Sequence, residues 1–120
     1  MELDVGALVA EIKQHPRIAD AGMILTHLGM VRSFSLTGGN VTRLEVNHDM
    51  QAAERIRLEL LARPGIVDIR FKLNNGILSP GETIMVAAVA GATRDKVFPV
   101  LEELINRLKK EASQKKEYKD

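Results

Sequence analysis

The 120-residue chain has no cysteine and no tryptophan, and only four aromatic side chains, three Phe and one Tyr. Without cysteine there is no disulfide, no thiol nucleophile, no persulfide carrier and no thiolate metal site. So few aromatic rings leave no stacking platform for single-stranded nucleic acid. Charge of one sign is lacking too. Seventeen basic and sixteen acidic residues give a net charge of +1, so no overall field draws the protein toward nucleic acid or an anionic membrane. Any cationic site must be local. No apolar run reaches the length that spans a bilayer, and Met1–Val9 has no basic region ahead of its apolar residues. A chain that needs no disulfide suits a reducing compartment, and the expectation is a soluble, cytoplasmic protein. The histidines at 15, 27 and 48 lack metal-ligand spacing, so no metal is expected. His27, inside an apolar segment, reads as a hydrogen-bonded core side chain.

What is present is an apolar pattern with 45% hydrophobic residues, enough for one domain over residues 1–112 followed by a charged tail at 113–120. Asp4 caps a first helix whose Val5, Leu8, Val9 and Ile12 share a face, and Pro16 stops it. Gly22–Arg32 reads as a strand inside the sheet, with Gly29 marking a bulge or a close backbone approach. Ser33–Asn40 is a polar turn or loop. In Val41–His48, Leu44 and Val46 face one way and Arg43 and Glu45 the other.

Asp49 caps a second helix with Ala53, Ile56 and Leu60 inward, ended by Pro64-Gly65. Ile66–Leu73 alternates as a strand, with Val67, Ile69, Phe71 and Leu73 on one face. Turns at Asn74-Asn75-Gly76 and Ser79–Glu82 lead to Thr83–Ala90, an apolar central strand. In the last helix Val97, Leu101, Leu104, Ile105, Leu108 and Ala112 form an apolar stripe. Thr93 is its expected N-cap, accepting a backbone N–H, and Pro99 predicts a kink or a late start. The tail beyond Ala112 has no core residues and reads as frayed or disordered when alone. Helices on a largely antiparallel sheet make an α+β fold, and exposed sheet edges predict dimerisation.

Four cations stand at element ends. Arg32 closes a strand, Arg94 opens the last helix, Lys109 lies near that helix's end and Lys116 beyond it. Arginine presents a planar fork suited to phosphate, and lysine a mobile ammonium that gives up its proton when desolvated. Arg94 adds its charge to the positive end of a helix dipole, a setting for an anion. Each also reads as a solvated surface cation, and Lys109 and Lys110 as partners of the helix dipole.

Leu28-Gly29-Met30-Val31-Arg32, Leu44-Glu45 followed by Met50, Ser79-Pro80-Gly81-Glu82, and Thr93-Arg94 through Leu108-Lys109 to Lys116 stand in an order and spacing that resembles the MoaE-type family, the large, catalytic subunits of molybdopterin synthase. The resemblance implies an α/β-hammerhead fold, a homodimer and no cofactor. It implies a partner, a small ubiquitin-like carrier whose C-terminal glycine thiocarboxylate donates sulfur to precursor Z, a cyclic pyranopterin monophosphate. Arg32 and Arg94, with Thr93 beside it, would bind the pterin phosphate, and Lys109 and Lys116 would flank the sulfur-transfer centre.

The sequence departs from the family where Thr93 replaces a histidine, where His27 replaces a phenylalanine, and where Leu73-Asn74 replaces His-Arg. Ala112–Lys115 replaces an aromatic segment, and the sequence ends before a further C-terminal segment of the family. The alternative is a binding module of the same fold that holds a pterin phosphate or carrier tail without turnover.

Overall fold

A computed structural model describes residues 3–120. Its elements are α1 (Val5–Ile12), a short 3-10 turn (Ile18–Asp20), β1 (Met23–Met30), β2 (Val41–His48), α2 (Met50–Leu61), β3 (Ile66–Leu73), β4 (Gly76–Leu78), β5 (Thr83–Gly91), α3 (Arg94–Glu111) and β6 (Ser113–Lys119). The strands form two antiparallel three-stranded sheets, ordered β1-β5-β3 and β4-β2-β6. The α+β class and the antiparallel pairing agree with the sequence pattern. The short β4 and the C-terminal β6 are additional to it.

The first sheet explains why β5 is apolar at every position after Thr83. Met85, Ala87 and Val89 turn toward a main core with Ile56 and Leu60 of α2 and Val97, Leu104 and Leu108 of α3. Val86, Ala88 and Ala90 turn the other way, onto Leu8 and Ile12 of α1. A strand covered on both faces has no position left for a polar side chain. Gly91 ends β5 where a Cβ would stand 2.7 Å from the carbonyl oxygen of Gly65 and 2.6 Å from Val97 Cγ2. Only glycine fits there. Asp4 and Asp49 cap α1 and α2 as expected, accepting backbone N–H groups of Gly6 and of Gln51 and Ala52.

Several expectations give way. β1 is an edge strand, not an interior one, since only β5 pairs with it. β3 carries a bulge between Ile66 and Asp68, which sends Val67 to the α1 side while Ile69, Phe71 and Leu73 pack in the main core. Asp68 becomes buried. Its carboxylate accepts the Ile69 N–H at 2.9 Å and pairs with Arg70 at 3.0 Å and Arg57 at 3.6 Å, so its charge is compensated. α3 starts at Arg94 and runs through Pro99. At this exposed first stretch the proline deprives only the Asp95 carbonyl of its partner, and water can replace it. The Thr93 hydroxyl donates to the Asp95 carboxylate instead of accepting from the backbone.

The largest correction is the C-terminal segment. Residues 113–119 are not frayed: they pair with β2 from His48↔Ser113 to Val41↔Lys119. The backbone ladder needs no apolar side chains, and polar contacts supplement it. Tyr118 donates to Glu45 at 3.0 Å, and the buried Ser35 donates to Glu117 at 2.8 Å.

Candidate functional site

The register of β6 against β2 decides which side chains meet. Lys115 lies opposite Val46 and Glu117 opposite Leu44. Directly paired residues share a face of the sheet, and Val46 and Leu44 face the core. Lys115 and Glu117 therefore point inward. Lys116 and Tyr118 lie opposite Glu45 and Arg43, on the outer face, where the Lys116 ammonium sits 5.1 Å from the centre of the Tyr118 ring. A seven-residue step from Lys109 to Lys116 would keep one face on a continuous helix. Here α3 ends at Glu111 and a strand begins at Ser113.

Inward-facing β6, the end of β1 and the last turn of α3 enclose a cavity of about 590 Å³. His27, Arg32, Lys109, Lys115 and Glu117 supply its charged and titratable groups, and Leu28, Val31, Phe34, Leu44 and Met85 are part of its apolar wall. β1 can turn its end into this wall because its pairing with β5 slips between Gly29 and Met30. Gly29 thus provides the expected bulge. The Arg32 guanidinium lies 5.5 Å from the centre of the Phe34 ring, which holds it at the rim through a cation–π contact. Lys109 comes from the helix C-terminus, where the dipole favours a cation.

Partial burial is the main cause that lowers the Lys115 pKa from the ordinary lysine value, and the charges of Lys109 and Arg32 add to it. Glu117 opposes the shift. Three cations crowded against a single carboxylate, Glu117, make an anion site by electrostatics, and the apolar wall reduces the screening. The His27 pKa is lowered as well, first by partial burial and then by Lys109. His27 is thus part of the cavity wall, not a hydrogen-bonded core residue.

Of the residues singled out in the sequence, the structure brings Arg32 and Lys109 together. It places Thr93 and Arg94 elsewhere, in a cavity of about 700 Å³ with Gly22, Met23, Ala92, Asp95 and Phe98. Fifteen residue steps along α3 separate Arg94 from Lys109, about 22 Å at 1.5 Å per step. Lys116 does not line the cationic cavity. Lys115, His27 and Glu117 do, and sequence reasoning missed all three. The signal for Lys115 and Glu117 was the alternation of a β-strand, concealed by a segment with no apolar residues.

The model of the family described as MoaE protein matches residues 1–111. A molybdopterin synthase catalytic subunit of Cereibacter sphaeroides is 35% identical over 98 residues, which cover 78% of this chain and 65% of that protein. An uncharacterised protein of Methanocaldococcus jannaschii is 36% identical over 93 residues, 74% of this chain and 78% of that one. Among solved structures, the molybdopterin cofactor biosynthesis protein E of Burkholderia multivorans superposes with a TM-score of 0.79 at 31% identity, covering 100% of this chain and 84% of the other. With the cavity set between β1, α3 and β6 and the family match over nearly the whole chain, the protein belongs to the MoaE family.

Proposed function

We propose that this protein is the catalytic subunit of a molybdopterin synthase, transferring sulfur from the thiocarboxylate of a small carrier to a cyclic pyranopterin monophosphate. The observation that carries this reading is the cavity in which Arg32, Lys109 and Lys115 converge. The family match and the catalytic-subunit relative support it, and a solved complex of subunits 1 and 2 of molybdopterin-converting factor from Helicobacter pylori is similar in fold at a TM-score of 0.71 and 18% identity.

The chemistry needs what the cavity has. Substrate phosphate and carrier thiocarboxylate both bring negative charge, and acyl transfer passes through an oxyanion. Arginine binds phosphate through its fork of donors, so Arg32 is assigned to the substrate. Lys109 and Lys115 are assigned to the centre of sulfur transfer, where fixed positive charge stabilises the oxyanion. The role expected for Lys116 passes to Lys115, because the strand turns Lys116 outward. Thr93 and Arg94 join the substrate only where a second copy brings that end of α3 to the cavity. The homodimer is therefore part of the proposal, with a cytoplasmic setting for the reaction.

The test mixes the protein with a thiocarboxylated carrier and precursor Z and follows molybdopterin as its fluorescent oxidation product. Lys109→Ala and Lys115→Ala are each expected to lower the rate by about 10²–10³, the usual loss when one oxyanion-stabilising group is removed, with Lys116→Ala near wild type. Binding of carrier or precursor without product would favour the non-catalytic binding module. A rate lost with Lys116→Ala but kept with Lys115→Ala would refute the assignment drawn from strand register.

A further inference from the structure

We propose that His27 is the general base of the cationic cavity, accepting the proton of the water that cuts the carrier from the transferred sulfur. The proposal deepens the sulfur-transfer reading and rests on it. His27 precedes Gly29 by two positions and so lies on the same face of β1. A Cβ at Gly29 would stand 3.2 Å from His27 Nε2 and 3.3 Å from Met85 Cγ, so the ring is seated over the glycine. The imidazole belongs to two spaces at once. On one side is the cavity of Arg32, Lys109, Lys115 and Glu117. On the other is a groove of about 300 Å³ between β1 and α3, with Leu25, Phe98, Ile105 and Glu102 among its walls. Neither ring nitrogen has a hydrogen-bond partner among the described residues, which leaves both free for water or substrate.

The charged groups around it come from every neighbouring element. Lys109 lies on α3, Arg32 at the end of its own strand, Lys115 and Glu117 on β6, and Glu102 across the groove. Imidazole is the side chain whose ordinary pKa falls near neutrality. With partial burial and Lys109 lowering that value from 6.5, the ring is neutral at pH 7 and ready to accept a proton.

Once the thiocarboxylate sulfur has bonded to the pterin carbon, the carrier's terminal carbonyl is a thioester. Water adds to that carbonyl carbon as His27 takes one of its protons. The C–O bond forms, the C–S bond breaks, and sulfur leaves with the electron pair as the pterin thiolate. The carrier departs as a carboxylic acid that ionises in solvent, and the imidazolium returns its proton through the outer groove. No oxidant or reductant is consumed.

The experiment is a pH–rate profile of the reconstituted reaction for wild type, His27→Gln and His27→Phe, with added imidazole tested on His27→Ala. Wild type should lose rate as pH falls through a value below 6.5. Gln and Phe variants should lose that limb and run about 10²-fold slower or more, and imidazole should restore part of the rate to His27→Ala. A proton NMR titration of His27 in the folded protein should give a midpoint below 6.5 that rises in Lys109→Ala. Wild-type rate and profile in His27→Phe would make the ring a wall residue and overturn the assignment alone, as would a His27 midpoint indifferent to Lys109→Ala. A wild-type protein that forms no product would overturn the sulfur-transfer reading, and this assignment with it.

Discussion

The two sheets hold together by different means. In β1-β5-β3 the central strand is buried from Ile84 to Gly91 and clamped between α1 and the pair α2 and α3. In β4-β2-β6 the outer strand β6 has no fully buried residue, and a backbone ladder with a few polar contacts keeps it in place. Apolar burial is worth about 25 cal/mol per Å², whereas one hydrogen bond adds about 1 kcal/mol net. Buried β5 therefore carries far more of the stability than β6, which displays Lys115 and Lys116. Chemistry placed on β6 can vary at little cost to the core.

The largest effect that tests this division belongs to the core. Leu104 is fully buried in α3, so Leu104→Ala should lower the unfolding free energy by about 2–5 kcal/mol through lost transfer energy and the cavity left behind. Urea denaturation measures it. Lys116→Ala, on the outer face of β6, removes one exposed cation–π contact with Tyr118 and should cost no more than about 1 kcal/mol. Equal losses would mean that β6 is as integral to the fold as α3.

Lys115 offers a sharper contrast, because there the interests of stability and chemistry oppose each other. Its folded pKa lies below the unfolded value of 10.5, chiefly through partial burial and then through Lys109 and Arg32. A lysine shifted down is protonated at neutral pH against the preference of its site, so it destabilises the fold there. That penalty fades as pH rises through the folded pKa, and it is gone above 10.5. Lys115→Met keeps the length and removes the charge. It should melt at a higher temperature than wild type at pH 7, with the gap narrowing toward pH 10, while product formation is lost. A lower melting temperature at pH 7 would place the ammonium in a favourable environment and remove the basis for its role.

Burial was legible in the sequence, and pairing was not. The run Thr83–Ala90, the alternation of Ile66–Leu73 and the caps Asp4 and Asp49 announce their elements through periodicity or a single local bond. Those interactions are short-range. β6 announces nothing, since Gln114–Lys119 offers no apolar alternation and its partner β2 lies more than 60 residues upstream. The parity that turns Lys115 inward depends on where α3 ends and on the register with Val46, and both are tertiary facts. Asp68 shows the same limit, for its burial rests on a bulge and on an arginine supplied by α2. Arg32 and Lys109 were legible because each sits at the end of an element that sequence alone defines.

The smallest expected effect probes what holds β6. Tyr118 lies opposite Arg43, its hydroxyl donates to Glu45 at 3.0 Å, and its ring sits 5.0 Å from the Arg43 guanidinium and 5.1 Å from the Lys116 ammonium. Tyr118→Phe removes the hydrogen bond and keeps the ring, so it should lower stability by about 1 kcal/mol and leave the rate unchanged, because this face points away from the cavity. Tyr118→Ala also removes the cation–π contacts, each worth about 0.5–1 kcal/mol at an exposed site, and should cost correspondingly more. If Tyr118→Phe instead lowers the rate as much as Lys115→Met does, the hydroxyl is fixing the register of β6. The second sheet's few polar contacts would then set the position of the catalytic amine as well as its stability.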